Sequence, residues 1–239
     1  MDEIDTTPAA WPDRATLDGR YVRLEPLDPE RHAPGLYEAG HGEAAAAAIW
    51  DYLPYGPFEG LAEMRAWLET QAASRDPLFF ACIEKGRGTP CGMLSFLRIS
   101  QPMRTLEIGH IWYAPSAQRT RANTEACHLL LAAAFERWRY RRAEWKCNAL
   151  NRRSRTAALR LGFSFEGLFR QHMIVRGRNR DSAWFGLTDR DWPAIRACQR
   201  RWLYEPGPSG SLAALTAPHL DRSIADAAWE AGAAGRDPS

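Results

Sequence analysis

The sequence predicts a mixed α/β fold, in which helices cover a sheet that contains both hairpins and a crossover connection. The first observation is a pair of hairpin patterns, because "GRGTP" and "RGRNR" each separate two runs rich in β-branched and aromatic residues. The second is the order strand, helix, strand, helix and hairpin from residue 105 onward, which indicates a right-handed crossover. A length of 239 residues favours one domain with short flanking segments.

The first half of the chain supplies strands and two helices. "YVRLEPL" (21–27) alternates as a strand does, and Asp28 followed by Pro29 predicts the start of a helix. In "EGLAEMRAWLETQAASR" (59–75) the apolar residues recur at helical spacing, so one face of a second helix is predicted to be core. "TLEIGHIWY" (105–113) is apolar on both faces and is therefore predicted to be a central strand.

Composition excludes several classes of protein. The chain is 45% apolar and has no uncharged apolar run of membrane-spanning length, so a soluble protein is predicted. Its acidic start, "MDEIDTTPAAWPDR", lacks the pattern of a secretory signal, which favours a cytoplasmic location. The five cysteines show no CxxC spacing and the histidines form no HExxH, so reduced core thiols and no metal site are predicted.

Three segments are predicted along the chain. Residues 1–19 form an N-terminal extension, and residues 20–205 form the folded domain. Residues 206–239 are rich in Pro, Gly, Ser and Ala, so they are predicted to be a loosely ordered tail.

Charge is distributed unevenly. Residues 101–205 carry 20 basic and 9 acidic side chains, whereas residues 1–100 carry 9 and 16. A basic segment of this kind is either a solvated surface or a place that receives an anion. Arginines near Trp138 and Trp145 would also allow nucleic-acid binding, but no recognition motif accompanies them, so sequence-specific binding of nucleic acid is not predicted.

The stretch "APSAQRTRANTEACHLLLAAA" (114–134) gives the anion hypothesis a position. A loop of Pro, Gln, Arg and Thr is followed by an amphipathic helix, which is predicted to begin at Asn123 or Thr124. The first turn of a helix offers backbone N–H groups and the positive end of the helix dipole, and both attract phosphate. The alternative is an ordinary polar helix cap, in which Asn123 or Thr124 accepts the backbone hydrogen bonds.

The neighbouring residues favour the anion site because they resemble the GNAT superfamily of N-acetyltransferases. Glu107-Ile108-Gly109 resembles the fourth strand of that fold, and 118–124 resembles the acetyl-CoA loop of the branch that contains the ribosomal-protein-alanine acetyltransferases. "NALNRRSRTAALRLGFSFEG" is similar to the family's Asn-x-x-Ser helix and its Leu-Gly-Phe close. "GRNRDSAWFGLTDRDW" is similar to its final strand. The resemblance covers residues 20–192.

The resemblance implies a mostly antiparallel sheet of about seven strands with helices on both faces, and acetyl-CoA as co-substrate. The pyrophosphate would lie on the loop, the pantetheine arm would add to a strand edge, and Asn151 would contact that arm. The implied cofactor-binding residues are Ile111, Trp112, Tyr113, Gln118, Arg119, Thr120, Arg121, Ala122, Asn123, Thr124 and Asn151. Arg121 and Asn123 replace the family's common glycines, and Ala158 stands where many relatives carry a tyrosine that serves as proton donor.

Two residues are candidates for proton transfer. Glu107 is the only carboxylate in an apolar strand, so it is predicted to be the general base, directly or through a water. The alternative is a structural carboxylate paired with an arginine. Ser154 lies one turn after Asn151 and is predicted to protonate the leaving thiolate, although it could equally be a simple helix hydroxyl.

The acceptor amine is predicted to bind beside an aromatic stretch, "IWDYLPYGPF" (49–58). Asp51 would meet a cationic amine, and a histidine from either of two strands could reach it. The candidate substrate-binding residues are Trp50, Asp51, Tyr52, Tyr55, His110 and His172. The alternatives are a minor aromatic core and satisfied core histidines.

The resemblance therefore implies an N-acetyltransferase that moves an acetyl group from acetyl-CoA to a primary amine. The acceptor is a small molecule or a peptide, and a monomer or a homodimer is expected. The alternative is a GNAT-like scaffold that binds CoA in a regulatory or sensing role with little turnover, which the absence of the usual tyrosine at Ala158 would favour.

Overall fold

The computed structural model describes residues 5–206 and 210–223, and these form the predicted mixed α/β fold. The chain divides into two compact units, residues 1–143 and 144–239. No helix among the described residues is both long and apolar enough to cross a membrane.

The first unit is built on five strands in the order β1-β2-β3-β4-β5, each antiparallel to its neighbour. Their bounds are β1 Leu17–Asp18, β2 Val22–Pro26, β3 Leu78–Glu84, β4 Thr89–Ser100 and β5 Thr105–Tyr113. The "GRGTP" hairpin is confirmed, since it joins β3 to β4. The central strands β3 and β4 are buried along most of their length, as their continuous apolar runs require.

Three helices belong to the first unit. They are α1 Pro29–His41, α2 Leu61–Ala73 and α3 Arg121–Ala132, and α3 continues as a wider turn over Ala133–Arg137. Short 3₁₀ segments lie at Ala44–Ile49 and Pro115–Ala117. Asp28 caps α1 as predicted, because its side chain accepts hydrogen bonds from the backbone N–H groups of Glu30 and Arg31.

The second unit contains β6, whose first two residues lie before the boundary, and the rest of the chain. Its elements are β6 Arg142–Asn148, α4 Arg152–Arg160, β7 Ser164–Val175, β8 Arg178–Thr188, α5 Trp192–Tyr204 and the short α6 Leu212–Thr216. The strand order is β6-β8-β7. The hairpin across "RGRNR" is confirmed, with Val175 opposite Arg178.

Eight strands are described instead of the expected seven, because β1 contains only two residues. A strand of two residues carries no alternation that a sequence pattern could show. Five free cysteines are found, of which four are buried, in agreement with the predicted core thiols.

The segment predicted to be a tail contains helical turns where it is described. Leu212 and Thr216 of α6 are buried, and the Thr216 hydroxyl donates to the carbonyl of Arg160 in α4 at 3.3 Å. Residues 207–209 and 224–239 lie outside the described residues, as do residues 1–4 of the extension. The division into 1–19, 20–205 and 206–239 therefore stays a prediction.

Candidate active site

The loop between β5 and α3 opens the helix without a side-chain cap. Arg119 adopts a left-handed conformation with φ +59°, which ends the 3₁₀ turn and leaves Thr120 extended at the N-cap position. The Thr120 hydroxyl donates to the Ala117 carbonyl at 2.7 Å and caps no amide of α3. The helix therefore begins at Arg121, and the predicted start at Asn123 or Thr124 is wrong by two to three residues.

This earlier start places residues 121–124 of the predicted loop on the first turn of α3. Arg119 and Arg121 are exposed, whereas the side chains of Ala122 and Thr124 are buried. The Thr124 hydroxyl donates back to the Thr120 carbonyl at 3.3 Å. Backbone N–H groups at a helix start, flanked by two exposed guanidinium groups, are well suited to bind an anion.

Gln118 and Tyr113 brace the loop against β5. The side-chain amide of Gln118 donates to the Tyr113 carbonyl at 3.0 Å, and the Tyr113 hydroxyl lies 3.5 Å from the Asn123 carbonyl. Burial raises the pKa of Tyr113 well above its ordinary value, so the phenol stays protonated and can donate. The end of β5 and the start of α3 are thereby fixed to each other.

Strand β5 contains a β-bulge at His110 and Ile111, which begins three residues after the predicted base. Gly109 lies opposite Ser95 and Trp112 lies opposite Met93, so two residues of β5 face the single residue Leu94. The first of them, His110, has φ +52°. A bulge interrupts the ladder and redirects the backbone groups beside it, and this one does so where the pantetheine arm was predicted to bind, next to Ile111.

Glu107 is buried on β5, with 3% of its surface exposed. Its Oε2 lies 3.9 Å from Nε of Arg98, whose side chain is 54% exposed. Arg98 is held on its own bulge, with φ +52°, because its backbone N–H donates to the Asp76 carboxylate at 2.9 Å. Glu107 therefore has an arginine partner, as the structural alternative expects, and its role as general base stays a prediction.

Gly109 provides the space beside this carboxylate. A Cβ at this position would lie 2.9 Å from Cδ2 of Leu97 and 3.4 Å from Oε1 of Glu107. A larger residue would therefore displace one of them. The "EIGH" stretch thus combines a buried carboxylate, a glycine that makes room for it and a bulge.

Comparison with known proteins identifies the family of this chain. A family model described as "Acetyltransferase (GNAT) domain" matches residues 22–164, which is more than half of the chain. The chain belongs to the GNAT acetyltransferase family. The family predicted from the loop and helix motifs is therefore confirmed.

Individual relatives of this GNAT chain agree with that assignment. A crystal structure of a GCN5-related N-acetyltransferase from Brucella melitensis is 40% identical with a TM-score of 0.85, covering 88% of this chain and 98% of that one. A GNAT-family structure from Chromobacterium violaceum is 39% identical with a TM-score of 0.72, covering 78% and 92%.

A curated relative bears on the predicted branch. A Bacillus subtilis protein named as a ribosomal N-acetyltransferase, YdaF, is 33% identical over 105 residues. The match covers 44% of this chain and 57% of that relative, so it spans less than two thirds of the relative's length. The name of this relative agrees with the predicted branch.

The residues of the aromatic stretch 49–58 of the GNAT domain differ in burial. Trp50 is core, with 2% exposure, and its indole N–H donates to the Gly40 carbonyl at 3.1 Å. Its ring lies 5.3 Å from that of Trp112 on β5. Asp51 and Tyr52 are exposed. The prediction of a minor aromatic core therefore describes Trp50 better than a pocket wall does.

Tyr55 and His110, both predicted to contact substrate, are brought together. Their ring centroids are 5.6 Å apart, and Tyr55 also lies 4.2 Å from Trp67 of α2. The Tyr55 hydroxyl is buried and makes no hydrogen bond with the described residues, and burial raises its pKa. Trp67 was not predicted as a site residue, because its place on the apolar face of α2 indicated only core.

The second unit holds the remaining predicted residues. The Asn151 side chain accepts from the Ser154 N–H at 3.1 Å and so caps α4, while its Nδ2 makes no hydrogen bond with the described residues. The Ser154 hydroxyl accepts from the Trp145 indole at 3.0 Å and also makes a hydrogen bond with the Cys147 side chain. His172 Nδ1 lies 3.0 Å from the Ser182 hydroxyl. Ala158 is fully buried.

Proposed function

We propose that this GNAT protein transfers the acetyl group of acetyl-CoA to a primary amine. The observation that carries the proposal is the first turn of α3, which Thr120 leaves uncapped between two exposed arginines in a chain of this family. That turn suits a diphosphate, since backbone amides and guanidinium groups are the donors that phosphate prefers. A cytoplasmic location and a monomeric or homodimeric state are part of the proposal.

The cofactor would be held by residues of the β5–α3 corner. Arg119, Arg121 and the first amides of α3 would bind the diphosphate, with Gln118 keeping the loop against β5. Ile111, Trp112 and Tyr113 would offer backbone groups after the bulge to the pantetheine arm. Asn151 would contribute its Nδ2 donor to the pantetheine arm.

Bound acetyl-CoA supplies a thioester whose carbonyl carbon an amine can attack. A nitrogen–carbon bond forms, the carbon–sulfur bond breaks, and one proton leaves the nitrogen while the thiolate gains one, which gives an amide and a free thiol. Glu107 would take the proton of the amine, directly or through a water, and later release it to solvent. Ser154 would pass a proton to the thiolate and regain one from solvent, so both residues return to their starting states.

The acceptor would bind beside Tyr55 and His110, with Asp51, Tyr52 and His172 as further contacts and Trp50 supporting them from the core. An amine attached to a polypeptide N-terminus is the first acceptor to test, because the Bacillus subtilis relative is named for ribosomal acetylation. Small amines are the second class.

The proposal is tested by mixing the purified protein with acetyl-CoA and a panel of N-terminal peptides and small amines while free thiol is measured. Amine-dependent thiol release is expected, and Glu107→Gln should lower kcat by about 10²- to 10⁴-fold, as expected for loss of a positioned base. The affinity for CoA should be unchanged in that variant. Tight CoA binding without thiol release from any amine would favour the scaffold alternative, and no CoA binding would end both.

A further inference from the structure

Glu125 connects α3 to the turn that precedes β2. It is fully buried, and its carboxylate accepts hydrogen bonds from the backbone N–H groups of Arg20, Tyr21 and Val22 at 2.8, 2.6 and 2.8 Å. A buried carboxylate is stable only when its oxygens are paired, and three amide donors achieve this. The turn over residues 19–22 is therefore pinned to the second turn of α3.

Gly19 allows this close approach. A Cβ at Gly19 would lie 2.4 Å from Oε2 and 2.5 Å from Cδ of Glu125. The carboxylate cannot swing aside without losing its three amide donors. The Gly19 N–H also donates to the Val22 carbonyl at 2.9 Å, which closes the turn.

The pinned turn places the Tyr21 side chain against the residue that opens α3. Arg121 donates from Nη1 to the Tyr21 hydroxyl at 3.0 Å, and its guanidinium carbon lies 5.8 Å from the centre of the Tyr21 ring. The guanidinium of Arg20 lies 5.7 Å from the same ring. An aromatic face attracts a guanidinium group, so the ring and the hydroxyl both hold Arg121.

We propose that Tyr21 is a positioning residue that orients Arg121 toward the diphosphate of the cofactor, and that Glu125 keeps Tyr21 in place. The inference rests on the proposed function, since it takes Arg121 to be a phosphate ligand. An exposed arginine otherwise loses rotamer freedom when it binds, and ordering it beforehand removes that cost from the binding step.

The test is a double-mutant cycle on CoA affinity, measured by titration calorimetry with the full chain. Tyr21→Phe keeps the ring and removes the hydroxyl, and the Kd for CoA is expected to rise about three- to tenfold, the range for the net contribution of a typical hydrogen bond. In an Arg121→Ala background the same change should leave the Kd where Arg121→Ala alone puts it.

A merely structural role of Tyr21 would give a different pattern. It would weaken CoA binding equally in both backgrounds, and that result, or an unchanged Kd in the parent background, overturns the inference. Either failure leaves CoA binding by the parent protein intact, whereas failure of the proposed function would show no CoA binding by the parent at all.

Tyr37→Phe is the matched control. The Tyr37 ring stacks on His41 at 4.3 Å, and its hydroxyl makes no hydrogen bond with the described residues. Removing that hydroxyl should leave the Kd for CoA unchanged. Circular dichroism and thermal unfolding of each variant establish that all of them are folded when the titrations are compared.

Discussion

Helices α3 and α4 both begin with residues predicted to meet the cofactor, yet their first turns are completed in different ways. In α4 the Asn151 side chain accepts from the Ser154 N–H at 3.1 Å, so the chain caps its own helix. In α3 the side chain at the N-cap position, Thr120, donates backward to Ala117 and caps nothing. Two polar helix starts that look alike in the sequence therefore differ in what they leave for a ligand.

The difference separates two ways in which a helix start can serve a site. An uncapped first turn offers its amides and dipole to an anion, and exposed arginines add charge. A capped first turn has fewer amides to offer, because its own side chain already satisfies one of them. We therefore expect the phosphate affinity of this protein to depend on α3 and hardly on α4.

The largest expected effect comes from removing the charge at the start of α3. Arg119→Ala combined with Arg121→Ala should raise the Kd for CoA about 100-fold, since each charge-assisted contact contributes about 1.5–3 kcal/mol before partial compensation. Titration calorimetry of the double variant measures this.

The control removes the same charge from the other helix. Arg152 and Arg153 are both exposed and open α4. Changing both to alanine should alter the Kd for CoA less than about threefold, because only long-range attraction that salt screens is lost. Equal losses in the two double variants would show that the contrast between the helices has no functional meaning.

Local periodicity was sufficient to predict most strands and helices, because alternation and helical spacing are written in neighbouring residues. The start of α3 was missed because it depends on Arg119 in a left-handed conformation, which an arginine adopts only when its surroundings impose it. The role of Glu125 was missed for a related reason, since its donors lie 103 to 105 residues away along the chain. A helix propensity scale treats Glu125 only as a glutamate near the positive end of the helix dipole.

The candidate site, like the fold, was predictable only in part. Glu107 stands out as a carboxylate in an apolar strand, and the structure buries it as expected. Trp50, by contrast, lies in the core, and whether an aromatic residue in a loop lines a pocket or fills one depends on packing that the sequence pattern does not contain.

The start of α1 extends the comparison, because its N-cap side chain accepts from two backbone amides, whereas that of α4 accepts from one. Asp28 caps it, the Asp28 N–H donates to Nδ1 of His32 at 3.0 Å, and His32 Nε2 lies 3.0 Å from Glu25. Burial alone would raise the pKa of Glu25, but hydrogen bonds from His32 and Arg23 together with the charge of Arg31 outweigh it and lower that pKa.

Glu25→Gln is expected to lower the free energy of unfolding by about 2 kcal/mol at pH 7, because it weakens hydrogen bonds to a buried charge. A carboxyl whose pKa is lowered by folding contributes its full stabilisation at pH values above its ordinary pKa of 4.5. It loses that contribution as the pH falls through its pKa in the folded protein. Urea unfolding at pH 7 and at pH 3 should therefore show a smaller difference between the two proteins in acid. A difference independent of pH would contradict this.

The smallest expected effect concerns the cap of α4 itself. Asn151→Ala should lower the free energy of unfolding by about 1 kcal/mol, the usual cost of losing an N-cap side chain. Asn151→Asp retains an oxygen acceptor for the Ser154 N–H and should keep most of the stability, but it replaces the Nδ2 donor that we assign to the pantetheine arm. If CoA affinity falls in Asn151→Asp while stability is retained, the cap and the cofactor contact are separate roles of one side chain. If affinity stays unchanged, Asn151 serves the helix alone and the contrast with α3 is complete.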